Sequence, residues 1–135
     1  MVMKLLGSKY IKIFAQINPD FSGKLNMNQN INIKKIEKYK PDLSKQDSLR
    51  IEYIYTIDYK ELGKIEIEGI LFIGGDSKIQ KDLLKSWNEK DHNTPEQIAV
   101  MNLIIQKASI KAVEIEEELS LPIHFKLPSL QPKTE

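Results

Sequence analysis

Hydrophobic and polar residues alternate through most of the first half of the chain, and past its midpoint the period changes. From Lys9 to Asn18, Ile11, Ile13, Ala15 and Ile17 recur at every second position, which predicts a strand with one buried face; Phe14 falls on the other face. Asn18, Pro19, Asp20, Ser22 and Gly23 then make a turn-rich loop around Phe21, an aromatic that a purely solvated loop would not require. From Lys24 to Tyr39, Leu25, Met27, Ile31 and Ile33 alternate with Asn26, Asn28, Asn30 and Asn32, a second strand with one apolar and one uncharged polar face. Beyond Pro41 and Asp42, Leu49, Ile51, Tyr53, Tyr55 and Ile57 share one face of a third strand. Arg50, Glu52, Thr56 and Asp58 share the other, with Ile54 out of pattern. A short connection from Lys60 to Gly63 leads to a fourth strand, in which Ile65 and Ile67 alternate with Lys64, Glu66 and Glu68 before the apolar run Ile70 to Ile73. So short a link implies a hairpin, and four alternating strands predict an antiparallel sheet covered on one side.

After Gly74 and Gly75 the apolar spacing becomes helical. Asp76 or Ser77 can cap a short helix carrying Ile79, Leu83, Leu84 and Trp87. A polar link precedes Thr94, Pro95, Glu96 and Gln97, where Thr94 can cap, Pro95 suits the first helical position and Gln97 can reach back as the second half of a capping box. A long helix then runs to about Leu119. Ile98, Met101, Ile105, Ala108, Ala112, Ile115 and Leu119 form one broad stripe, with Val100, Leu103, Ile104 and Ile110 partly beyond it; a stripe that wide needs more than one partner surface. Pro122, Pro128 and Pro132 keep the remaining residues extended, Leu121, Ile123, Phe125, Leu127 and Leu130 predict that much of this tail packs, and residues 131–135 read as disordered. The fold class is therefore α+β, a four-stranded antiparallel sheet followed by one short and one long helix. At 135 residues it forms one domain.

Charge narrows the function more than the fold. Twenty Lys plus Arg against 19 Asp plus Glu leave a net charge of +1, and Arg50 is the sole arginine, so nucleic acid is not an expected partner. The absence of cysteine removes disulfides, thiolate metal sites and thiol nucleophiles. No apolar run reaches membrane-spanning length and no signal-peptide pattern opens the chain, which reads as cytoplasmic, with no membrane insertion.

Candidate chemistry is sparse. His92 and His124 have no carboxylate or second histidine at ligand spacing and read as ordinary surface or packed imidazoles. The clustered Glu114, Glu116, Glu117 and Glu118 read as a solvated face. Gly74 to Ser77 lacks both the lysine of a phosphate-binding loop and the spaced glycines of a dinucleotide site. The chain is expected to be no enzyme and to use no cofactor or metal. What it offers is surplus apolar surface, which an oligomer interface or a hydrophobic groove would use.

The element order, the run Glu68-Gly69-Ile70-Leu71-Phe72-Ile73-Gly74-Gly75 and the tail Leu121-Pro122-Ile123-His124-Phe125 together resemble the SecB family of protein-export chaperones. The resemblance implies a homotetramer, a dimer of dimers, that holds unfolded polypeptide clients in hydrophobic grooves without ATP. By position it implies a client groove at Phe21, Leu25, Met27, Met101 and Ile105, and an oligomer interface at Leu83, Leu84 and Trp87. It also implies a sheet face, here bearing Glu52, Asp58, Glu66 and Glu68, that docks the export machinery. The near-neutral charge departs from the acidic family pattern, so a toxin–antitoxin partner fits as well. Two readings from other classes stand beside it: a carrier of small hydrophobic ligands with a cavity between sheet and long helix, and a structural oligomer subunit.

Overall fold

In a computed structural model the chain is described over residues 3–39 and 48–122. The elements are β1 (Met3–Ile17), β2 (Asn28–Tyr39), β3 (Ser48–Asp58), β4 (Gly63–Gly75), α1 (Ser77–Asn88) and α2 (Pro95–Leu119). All neighbouring strands are antiparallel, in the order β1-β4-β3-β2, so the expected α+β architecture of four strands, a short helix and a long helix is the observed one. The loop after β1 carries the chain from one edge of the sheet to the other, which alternation alone does not disclose.

The third and fourth strands pair as the short connection predicts: Tyr59 N–H donates to Gly63 O at 2.9 Å, and Lys60 takes the left-handed conformation at the turn. Pairing of Leu49 with Ile73, Ile51 with Leu71, Tyr55 with Ile67 and Ile57 with Ile65 puts the two β-branched and aromatic rows on one face, where they are fully buried. Tyr53 lies opposite Gly69, and a Cβ built on Gly69 would collide with the Tyr53 hydroxyl and ring, so the missing side chain is what leaves room for the ring.

β1 departs from expectation in two respects. It begins at Met3 instead of Lys9, and register shifts between Leu5 and Gly7 and between Tyr10 and Lys12 interrupt it. The second shift leaves Ile11 outside the pairing, so the expected buried row is broken: Ile11 is 57% and Ile13 44% exposed, and only Ala15 and Ile17 pack against the core. β2 begins at Asn28, so Leu25 and Met27 precede the strand. In β4, Ile70 and Phe72 point to the face opposite Ile65, Ile67 and Leu71, which splits the apolar run between two sides of the sheet.

Asp76 caps α1 by accepting from Ile79 N–H at 2.8 Å, and Thr94 caps α2 by accepting from Gln97 N–H at 3.2 Å. The capping box closes on one side only, because the Gln97 side chain is buried between the helices and donates to Ser86 Oγ at 3.1 Å. α2 ends at Ser120, left-handed, whose neighbour Leu121 donates to Glu116 O at 2.8 Å and enters the core. The rest of the tail, with Ile123, His124, Phe125, Leu127, Leu130 and the expected disorder at 131–135, lies outside the described residues.

Candidate functional site: the open flank of the long helix

One narrow row of α2 meets the sheet. Val100, Ile104, Ala108 and Ala112 are fully buried and join the cluster formed by Tyr53, Tyr55, Ile57 and Leu71. Three tyrosines fix the helix over the strands through their hydroxyls. Tyr10 donates to Lys107 O at 2.8 Å, on the β1 side. Tyr55 donates to Gln29 Oε1 at 2.9 Å and has Ser109 Oγ at 3.3 Å, on the β2 side. Tyr59 contacts the buried Glu116 carboxylate and Pro122 O, the latter at 2.9 Å. Loss of solvent raises all four core-side tyrosines; Tyr53, beside Tyr10, is pushed up to about 12, and the Glu116 carboxylate adds to the rise at Tyr59.

These anchors orient the two flanks of α2. Lys107 looks toward β1; Ser109 looks toward β2. Ile98, Met101 and Ile105 lie on the Ser109 side of the helix by its 3.6-residue period, the flank that meets Tyr55 of β3. Ile98 is 49% exposed, Ile105 40%, and Met101 half-buried. Ile31 and Ile33 are half-buried on the side of β2 that faces the helices, with Leu84 and Trp87 of α1 packed against the same core. Ile31 and Ile33 on β2 and the Ile98, Met101 and Ile105 flank of α2 are thus apolar groups on the same side of the sheet, each partly open to solvent.

The candidate client residues fall on three segments. Met101 and Ile105 lie on that flank of α2. Met27, half-buried against the core, and the exposed Leu25 lie in the segment leading into β2 instead of on the strand itself. Phe21 is half-buried in the preceding loop, its ring 3.6 Å from the position a Cβ on Gly23 would take. Sequence reasoning missed Ile98, Ile31 and Ile33 as apolar groups on the same side of the sheet; their signal was the excess width of the helical stripe and the period of β2.

The candidate oligomer contacts fare differently. Leu83 is fully buried inside the protomer, because α1 turns that side onto the core, so it is a core residue and offers nothing to a neighbour; Leu84 and Trp87 are half-buried. Trp87 stands edge-on to His92 with ring centroids 5.8 Å apart. Exposed apolar residues also stand on β1, where Leu6, Tyr10, Ile11, Ile13 and Phe14 all reach solvent, and Ile110 is exposed on α2.

Glu52, Asp58, Glu66 and Glu68 do share the solvent face of the sheet, yet each is met by a cation. Glu52 pairs with Arg50 at 3.2 Å, Asp58 with Lys60 at 3.8 Å, Glu66 with Lys12 at 3.3 Å and Glu68 with Lys34 at 3.5 Å. That face alternates in sign, and pairs this exposed contribute little stability. Among the described residues no group of three His, Asp or Glu could hold a metal, and no helix is long and apolar enough to cross a membrane.

No family model matches the sequence, and no curated protein does. The fold is similar to that of the SecB-like chaperone Rv1957 of Mycobacterium tuberculosis, solved in complex with a ChAD peptide from the Rv1956 HigA1 antitoxin. The TM-score is 0.53 at 10% identity, over 98% of this chain and 93% of the other.

Proposed function

We propose that this protein is an ATP-independent holdase that binds unfolded or precursor polypeptides along the apolar flank of α2. The observation that carries the reading is the flank of α2 with Ile98 and Ile105 exposed and Met101 half-buried, on the same side of the sheet as the half-buried Ile31 and Ile33, in a fold similar to that of a SecB-like chaperone. Flexible methionine and aliphatic side chains suit a surface that repacks against many sequences. The clients are extended chains, an antitoxin segment or an export precursor among them, in the cytoplasm. No catalytic step is needed.

The assembly that goes with this reading is a homotetramer, a dimer of dimers. Leu6, Tyr10, Ile11, Ile13 and Phe14 supply apolar surface for one contact, and the half-buried Leu84 and Trp87 remain for another. The carrier reading has less behind it, since tyrosines and the central row of α2 occupy the space beneath the helix where its cavity would lie.

Native mass spectrometry with and without a chemically unfolded client tests the proposal. A four-chain species that retains the unfolded client and ignores its folded form is the expected result. A monomer or dimer carrying a discrete small molecule overturns it.

A further inference from the structure

The end of α2 turns the chain back at a defined place. Ser120 is left-handed, its N–H and that of Leu121 donate to the Glu117 and Glu116 carbonyls, Leu121 enters the core, and Pro122 O accepts from the Tyr59 hydroxyl at 2.9 Å. The same hydroxyl meets the buried Glu116 carboxylate, so the chain reaches Pro122 beside Glu116. Ile98, Ile105, Ser109 and Glu116 follow one another at intervals of seven, four and seven residues, which at 3.6 residues per turn sets them on one stripe of α2. Pro122 is therefore held at the C-terminal end of the flank on which Ile98 and Ile105 are exposed.

The sequence that follows Pro122 suits a return along that stripe. Ile123, Phe125 and Leu127 alternate with His124 and Lys126, Leu130 comes three residues later, and Pro128 stands against a helix. Along the helix axis, at about 1.5 Å per residue, Glu116 is about 17 Å from Ile105 and about 27 Å from Ile98. An extended chain advances about 3.3 Å per residue, so from Pro122 it draws level with Ile105 near Leu127 and with Ile98 near Leu130. Resting on the holdase reading above, we infer that residues 123–130 are a reversible intramolecular ligand of this flank, and that tail and client exclude each other from Ile98, Met101 and Ile105. A tethered ligand competes at an effective concentration on the order of millimolar, so the tail sets a threshold that refuses weakly apolar segments and yields to strongly apolar ones.

The chain has no cysteine, so Ser129→Cys in the full chain carries a single nitroxide label without touching the apolar positions of the tail. Broadening of the Ile98, Met101 and Ile105 methyl signals, reversed by excess chemically unfolded client, is the expected result. Phe125→Asp with Leu127→Asp, again in the full chain, should bind the same client roughly tenfold more tightly. Absence of broadening at those methyls overturns the inference, and so does equal or weaker client affinity in the double variant with its circular dichroism unchanged; client retention by the wild type in either case leaves the holdase reading standing. If the double substitution unfolds the chain, the label measurement decides alone. A wild type that retains no unfolded client overturns the holdase reading and the competition with it.

Discussion

The Tyr59 hydroxyl, at the end of the third strand, meets the Glu116 carboxylate, three residues from the end of the long helix, and both are buried. The same hydroxyl reaches Pro122 O, so a single phenol joins the β3–β4 hairpin, the helix terminus and the start of the tail. A carboxylate at full burial is costly unless its oxygens are met by donors. Tyr59→Phe removes that donor and retains the ring. It is expected to lower stability by about 1–3 kcal/mol, read as the shift in urea midpoint at unchanged slope.

Gly69 is held by a different constraint. Its absent Cβ is space that the Tyr53 ring occupies, and both residues are buried in the middle of the sheet. Gly69→Ala is expected to cost about 1–3 kcal/mol by overpacking. Placed on a Tyr53→Leu background the same substitution should cost clearly less, and a double-mutant cycle of thermal or urea unfolding measures the difference.

The buried tyrosines fix the sign of the alkaline limit. Tyr53, Tyr55 and Tyr59 are all raised above the ordinary value near 10 by burial, Tyr53 to about 12. The unfolded chain therefore ionises first. Stability from these groups is complete below about pH 10 and falls as pH rises toward the folded values, by up to about 1.4 kcal/mol per pH unit for each tyrosine. Urea midpoints followed through this range, with tyrosinate absorbance as a second probe, should show a shallower decline in Tyr53→Phe.

Met101→Asp with Ile105→Asp puts two carboxylates on the apolar flank of α2. Because neither residue belongs to the fully buried row of α2, the fold should survive, with circular dichroism unchanged and a small loss of melting temperature. Suppression of aggregation of an unfolded client should be lost. Unchanged suppression would remove that flank as the binding surface.

Ile11→Lys with Ile13→Lys charges the most exposed apolar part of β1 while leaving its core contacts at Ala15 and Ile17 in place. The expected outcome is a smaller assembly by light scattering at equal concentration, with the monomer fold retained. An unaltered mass would place the subunit contact elsewhere.

Which features were legible beforehand follows from how local their causes are. Alternation in Leu49 to Ile57 and Ile65 to Ile67 fixes which face is buried, since the period of a strand leaves no other choice, and the caps at Asp76 and Thr94 mark helix starts within a few residues of their own position. The width of the stripe on α2 already implied surplus surface, because Ile98 and Ile105 fall too far around the helix to share one partner with Ile104 and Ala108.

Strand order is not local. Only the fold brings β4 between β1 and β3, and so makes β1 and β2 the two edges. The bulge that leaves Ile11 unpaired depends on a partner 58 residues away, at Gly69 and Glu68, which no pattern within β1 encodes. Likewise the four sheet carboxylates could be read as one face from their spacing, and Arg50 and Lys60 stand two residues from Glu52 and Asp58, but the pairing of Glu66 with Lys12 and of Glu68 with Lys34 depends on the strand order. Leu83 turned out to be core for the same reason: the helical period gives α1 an apolar side, and the packing of that helix on the sheet decided that the side faces inward. Local pattern set the order and type of the elements, the buried faces of β3 and β4 and the surplus of apolar residues on α2. Long-range pairing, through hydrogen bonds between distant strands and the tyrosine anchors of α2, decided which of those apolar residues are covered and which reach solvent.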